Sequence, residues 1–326
     1  MRTLWTTKEE QKMTYIDYIE QWLGYKSSTL ATSTVRTYSM IIRKHFRPFF
    51  KDRLIEDLTR IELQQFINTL TTSQKTTIAI LKTTLKELYY DELISKDLAG
   101  QLRKPLRPHK AKGKQALTRE QIKALFNYLE GSQWNYLIRL MFASGLRVGE
   151  LLALQWSDVL WYTKESTISQ QREIDQDGYA ILKVTKTFDE HSNRIHEPKT
   201  PSSVRDVIVT DRETLALLYN KWSAVGFPKD GYIAQSKRKL NQPISRVAIK
   251  DILKKATEAI QLPFLLTPHH ARVNYTSHSL ASGVSETNLQ AQLGHTNTNL
   301  IRSVYGKAIG NRLEELIDKH NIYYFR

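Results

Sequence analysis

Six residues able to bind or attack a phosphate follow one another along this chain: Arg147, Lys199, His269, Arg272, His295 and Tyr305. They stand in four phrases, SGLRVGELLALQW (144–156), EPKTPSSVRDVIV (197–209), LTPHHAR (266–272) and LGHTNTNLIRSVYGK (293–307). Breaking a phosphodiester builds negative charge on the non-bridging oxygens. An arginine is always ionised and grips two such oxygens with one planar fork. Arg147 follows the turn Ser144-Gly145-Leu146, which can aim it from a helix start. Glu150, one turn on, either holds that guanidinium or is an exposed i,i+3 partner. His269 and Arg272 share a helix face three residues apart, with Pro268 suited to the first turn and Thr267 to the cap. His270 is the second choice of imidazole, because its offset from Arg272 points the other way on the helix.

His295 follows a glycine that lets the backbone turn sharply, and it can bond a phosphate oxygen or move a proton near neutral pH. Lys199 precedes a β-rich run and can protonate a departing 5′ oxygen if desolvation lowers its pKa; Lys183 and Lys186 lie in the same region and could take that place. A tyrosine can attack phosphorus and leave a covalent intermediate. The chain has 16 tyrosines; the spacing from Leu293-Gly294-His295 singles out Tyr305, with Tyr323 and Tyr324 in reserve.

Other chemistries fall away. There are no cysteines, which excludes disulfides, thiolate catalysis and cysteine-ligated zinc. The nine histidines lack zinc spacing, and no GxxxxGK[ST] loop occurs. A reaction through these residues therefore needs no cofactor, neither divalent metal nor nucleotide. The 48 Lys and Arg against 33 Asp and Glu leave a net charge of +15 and a pI near 9.7. Such an excess points to a polyanionic partner. No signal peptide or membrane-length apolar run is present, so the protein reads as soluble, intracellular and without a membrane partner.

The elements that must position these residues are mostly helices. After a tail over 1–13, residues 14–98 carry apolar positions at helical spacing: Tyr15, Ile19, Trp22 and Leu23, then Tyr38, Ile41, Ile42, His45 and Phe46. Thr59 to Glu62 is a predicted capping box, followed by Leu63, Phe66, Ile67 and Leu70; a fourth helix carries Ile78, Leu81, Leu85 and Leu88. Periodicity lapses over 99–116. Two prolines, two glycines and six cations (Arg103, Lys104, Arg107, Lys110, Lys112, Lys114) suit a linker that crosses a DNA backbone. A second capping box, Thr118 to Gln121, opens the unit 117–326, with helices expected over 119–130 and 134–143 and from Arg147. Short β-rich runs follow at 167–169, 179–184 and 204–209. After Thr210 the remainder reads as helical, with turns near Pro228, Pro243 and Pro263. The fold class is mainly α with a small β-sheet.

The ordered phrases resemble the tyrosine site-specific recombinases, or phage-type integrases: an arginine before Gly-Glu, a hairpin lysine, His-x-x-Arg, Leu-Gly-His and a tyrosine. The resemblance is specific over 117–326 and looser over 14–98. It implies a helical core-site DNA-binding domain and a catalytic domain forming a C-shaped clamp on DNA. It implies that Arg147 and Arg272 clamp the scissile phosphate and Tyr305 forms a 3′-phosphotyrosine. Lys199 would protonate the 5′ oxygen, His269 would act as general acid or base, and His295 would support the phosphate. The implied partners are double-stranded DNA bearing attachment sites and three further copies in a synaptic tetramer, with an excisionase and a DNA-bending host factor as further candidates. Ala271 and Val273 depart from the leucine and histidine that often flank the second arginine. The Lys-Thr-x-Ser-Ser-x-Arg phrase is most similar to integrases of Gram-positive phages and conjugative elements. Rival readings are a chromosome-dimer-resolving recombinase of the same family, a noncatalytic DNA-binding protein on this fold, and a type IB topoisomerase.

Overall fold

The computed structural model describes residues 12–105, 115–162, 178–190, 192–198 and 200–294. The chain divides into two compact units, Met1–Lys112 and Gly113–Arg326.

In the first unit α1 (Tyr15–Lys26), α2 (Thr32–Ile41), α3 (Arg47–Phe50), α4 (Arg60–Thr69) and α5 (Gln74–Tyr90) follow in order. The second apolar stretch does not run as one α-helix: a π-turn, Ile42–Phe46, joins α2 to α3. There the Arg47 N–H reaches back five residues to the Ile42 carbonyl, next to Pro48, which has no N–H to continue the regular ladder. The core is aromatic, with Tyr15 against Phe50 and Phe46 against Phe66, each pair 4.9 Å between ring centres. The buried Tyr15 hydroxyl is satisfied by Thr84 Oγ1 at 2.7 Å. Thr59 accepts the Glu62 N–H at 3.3 Å, but the Glu62 carboxylate binds Arg53 Nε at 2.8 Å, so only the threonine half of the expected box forms. Ala99 and Leu102 are buried in this core. The Arg103 N–H donates to Gln64 Oε1 at 2.9 Å, while the Arg103 and Lys104 side chains are exposed.

The second unit opens with α6 (Arg119–Leu129), whose Thr118–Gln121 capping box is complete. Then come α7 (Asn135–Ser144), buried along its whole length, and the short α8 (Val148–Ala153). Strands β1 (Val159–Tyr162), β2 (Tyr179–Val184) and β5 (Arg205–Val209) form an antiparallel sheet in the order β1-β2-β5. A separate hairpin pairs β3 (Thr187–Asp189) with β4 (Arg194–His196). The strand predicted at 167–169 lies outside the described residues, whereas β1, β3 and β4 carry no sequence signal long enough to register. Helices α9 (Arg212–Ala224), α10 (Arg246–Ala259), α11 (Pro268–Ala281) and α12 (Glu286–Leu293) complete the unit. The α11 side chains of Asn274 and His278 take the Leu117 N–H at 2.7 Å and meet the Leu117 carbonyl at 3.2 Å. That fixes the strand of chain that enters α6.

Helix α7 ends at Gly145, whose φ of +65° is the left-handed conformation that favours glycine. A Cβ there would lie 2.7 Å from Tyr275 Cδ1 on α11 and 2.9 Å from Leu293 Cδ2 on α12. Gly283, with a φ of +83°, faces open space. Gly145→Ala should therefore cost roughly 1–2 kcal/mol for the backbone and about 1–3 kcal/mol more for overpacking. Gly283→Ala should cost only the first. Chemical denaturation of both variants checks this; equal losses would remove the packing argument.

Candidate active site

Arg147, Glu150 and Arg272 meet where α7 ends, α8 begins and α12 ends. Arg147 is the N-cap of α8, in extended backbone. Its N–H donates to Glu150 Oε2 at 2.8 Å and its Nη1 to Glu150 Oε1 at 2.7 Å. Its Nη2 donates to the Gly294 carbonyl at 3.2 Å. Glu150 is thus no exposed partner: its side chain is 4% exposed and closes the first turn of α8 while holding the guanidinium. Arg272 is buried on α11, donating from Nη1 to the Gly145 carbonyl at 2.8 Å and from Nη2 to the Leu293 carbonyl at 2.5 Å. The two arginines therefore bind the adjacent carbonyls of Leu293 and Gly294. These lie at the negative end of a helix, where cations are favoured. Gly294 has a φ of +62°, and a Cβ on it would come within 2.7 Å of the Ser202 carbonyl.

His269 is exposed at the start of α11, one turn before Arg272. His270 is buried and has another task. Its Nδ1 accepts the Thr267 N–H at 3.0 Å, completing a capping box, and its ring stacks on Phe264 at 5.3 Å. Lys199, His295 and Tyr305 lie outside the described residues, as do Tyr323, Tyr324, Arg107, Lys110, Lys112 and Lys114. Lys183 and Lys186, the alternatives to Lys199, lie among the described residues. Lys186 is held by Gln155 Oε1 at 2.7 Å and Asp158 at 3.1 Å. Lys183 is exposed on β2, in register with Asp206 on β5.

One participant was not singled out from the sequence. Arg205, first residue of β5, donates from Nη1 and Nη2 to both oxygens of Glu150, at 3.1 and 2.9 Å. Its Nε donates to the Gln292 carbonyl at 2.8 Å and its Nη1 also to the Ser203 carbonyl at 3.0 Å. The phrase Lys-Thr-x-Ser-Ser-x-Arg contains it, but its carboxylate partner is 55 residues away in sequence. Burial pushes the Glu150 carboxyl up. The hydrogen bonds and charge of Arg205, with the N–H and charge of Arg147, outweigh that and hold it below the usual glutamate range.

A family model described as "Phage integrase family" matches residues 115–309, and one described as "Phage integrase, N-terminal SAM-like domain" matches 14–71. The tyrosine recombinase XerD of Rickettsia bellii is 28% identical over 249 residues, covering 71% of this chain and 73% of that protein. The ICEBs1 integrase of Bacillus subtilis is 23% identical over 86% of this chain and 75% of that one. In three dimensions the chain is similar to the Tn1549 transposon integrase in complex with a circular intermediate DNA. The TM-score is 0.70 at 15% identity, over 92% of this chain and 99% of that one.

Because the folded Glu150 carboxyl lies below its ordinary value of 4.5, its contribution to stability is complete above that pH and is lost as pH falls through the folded value. Glu150→Gln should cost about 3 kcal/mol near neutrality, since it strands a buried guanidinium. Melts of wild type and variant should differ by a constant amount above about pH 5 and converge in acid. A gap that widens in acid contradicts this account.

Proposed function

The chain belongs to the phage integrase family, and from that premise we propose that it cleaves and rejoins duplex DNA at specific sites through a 3′-phosphotyrosyl intermediate, integrating or excising a mobile element. The observation that carries the reading is the convergence of Arg147 and Arg272 on Leu293 and Gly294, immediately before His295 and eleven residues before Tyr305. In the proposed step the Tyr305 Oη forms a bond to phosphorus as the bond from phosphorus to the 5′ oxygen breaks. His269 exchanges the tyrosine proton, Lys199 protonates the 5′ oxygen, and no electrons are gained or lost. Arg147, Arg272 and His295 stabilise the charge on the non-bridging oxygens. The phosphodiester energy is kept in the phosphotyrosine for religation, so the step asks for no nucleotide.

The integrase names among the similar proteins, one of them a transposon's, support the mobile-element reading. The XerD match supports a second reading, a chromosome-dimer-resolving recombinase, which shares the cleavage step. Exchange between two attachment sites on separate duplexes distinguishes the two. By domain, residues 14–98 would hold the core site, the basic stretch 99–116 would cross the backbone, 117–326 would cut, and four protomers would act on synapsed DNA.

Tyr305→Phe removes one oxygen and preserves most packing. It should bind DNA normally and form no covalent adduct on a nicked suicide substrate in a denaturing gel. Arg147→Ala and Arg272→Ala should slow adduct formation by roughly 10²-fold or more. A persistent adduct in Tyr305→Phe would shift the nucleophile to Tyr323 or Tyr324, and a wild type inhibited by EDTA would contradict the metal-independent step. For the strap, neutralising Lys110, Lys112 and Lys114 together should flatten the salt dependence of binding; an unchanged slope would remove it from the interface.

A further inference from the structure

We propose that Arg205 is a positioning residue for DNA cleavage: it shares Glu150 with Arg147 and binds the Gln292 carbonyl, so fixing Arg147 against the end of α12. The proposal rests on the cleavage reaction above and adds a residue outside its six.

The two guanidiniums on Glu150 occupy different surroundings. The Arg205 side chain is 6% exposed, that of Arg147 42%. Each Glu150 oxygen accepts two donors: Oε1 takes Nη1 of both arginines, and Oε2 takes the Arg147 N–H and the Arg205 Nη2. With Arg147 alone, the carboxylate would neutralise the one cation that faces solvent. With Arg205 present, two cations share one anion, and the buried cation offsets the buried carboxylate. The net positive charge of the trio is then carried by Arg147, the exposed member, where a phosphate can reach it.

Arg205 also acts on α12. Its Nε bond to the Gln292 carbonyl lies beside a second tie, in which the Gln292 side chain takes the Ile208 N–H at 3.1 Å and donates to the Ile208 carbonyl at 2.8 Å. Thus β5 holds the helix end through both the main chain and the side chain of one residue. The carbonyls of Leu293 and Gly294, bound by Arg272 and Arg147, come next along that chain. Loss of Arg205 frees Arg147 to settle onto Glu150 and frees α12 to shift relative to α8. Arg205 itself meets no DNA in this account; it acts through Arg147 and the end of α12.

The test is single-turnover adduct formation on a nicked suicide duplex, run beside a gel shift on a single site. Arg205→Gln should slow the adduct about 10²-fold, the effect of a displacement near 1 Å, with single-site affinity unchanged. Arg205→Lys keeps the charge without the fork and should give an intermediate rate. The double variant Glu150→Gln/Arg205→Gln should be no slower than the slower single variant, because both act through one carboxylate. Multiplying effects would show that Arg205 acts elsewhere and overturn the proposal. So would an unchanged adduct rate in Arg205→Gln, or equal losses of binding and adduct. If Arg205→Gln does not fold, Arg205→Lys decides: a wild-type rate overturns the proposal. A wild type that binds DNA yet forms no adduct overturns the cleavage reading, and this inference with it.

Discussion

A single buried carboxylate holds the candidate site together. Glu150 sits in the first turn of α8 and is almost wholly out of water, a placement that is costly for an ion unless its lone pairs are all used. Four donors from Arg147 and Arg205 use them. Because one donor is the backbone N–H of Arg147, the same interaction caps the helix, orients the guanidinium and ties the helix start to β5. The close packing of α8 on the β3–β4 hairpin follows the same logic. At Gly149 a Cβ would come within 2.5 Å of Thr187 Oγ1 and 2.9 Å of Arg246 Nη2, so the hairpin approaches α8 only because that residue has no side chain.

The end of α12 is the second fixed point. A helix end leaves carbonyls without intrahelical partners, and here three guanidiniums bind three in succession: Arg205 at Gln292, Arg272 at Leu293 and Arg147 at Gly294. Lysines could satisfy the charge but could not span two acceptors in fixed directions. Arg272 joins Gly145 and Leu293 through one planar group, locking the exit of α7 to the exit of α12. Both exits carry a glycine in the left-handed conformation, Gly145 and Gly294.

What was legible in the sequence follows the range of the interactions. The Thr118 box, the Thr267 cap with Pro268 behind it, and the Arg147–Glu150 pair each span three residues or fewer, and local spacing contains them. Helical periodicity located α1, α2, α4, α5 and α6 because each buries a continuous face; α7 is buried on all sides. It did not reveal the π-turn at Ile42–Phe46, which keeps apolar residues at nearly helical intervals while changing the ladder. Strands of three or four residues are too short for alternation to show. Arg205 stayed hidden because β5 reaches Glu150 only after the sheet forms. The capping role of His270 had a local signal: three residues after the Thr267 cap, its side chain can reach back to the cap's N–H.

The charge distribution connects this scaffold to phosphate chemistry. Three guanidiniums and one carboxylate leave the cluster at a net charge of +2. Arg205 and Arg272 are buried and bound to the scaffold, while Arg147 carries its charge toward solvent. Neutral carbonyls fix a guanidinium without cancelling its charge; a second carboxylate would have fixed it and cancelled it. A phosphodiester brings one negative charge and gains a further share on its non-bridging oxygens as the attacking oxygen arrives. In the proposed cleavage, donors already held by Glu150 and by the end of α12 would meet that charge without first reorganising, which is the condition under which electrostatic stabilisation is strongest. The cost of burying Glu150 is a folding cost, met before any ligand arrives, and under the proposed reaction it would leave the exposed cation in place for the transition state.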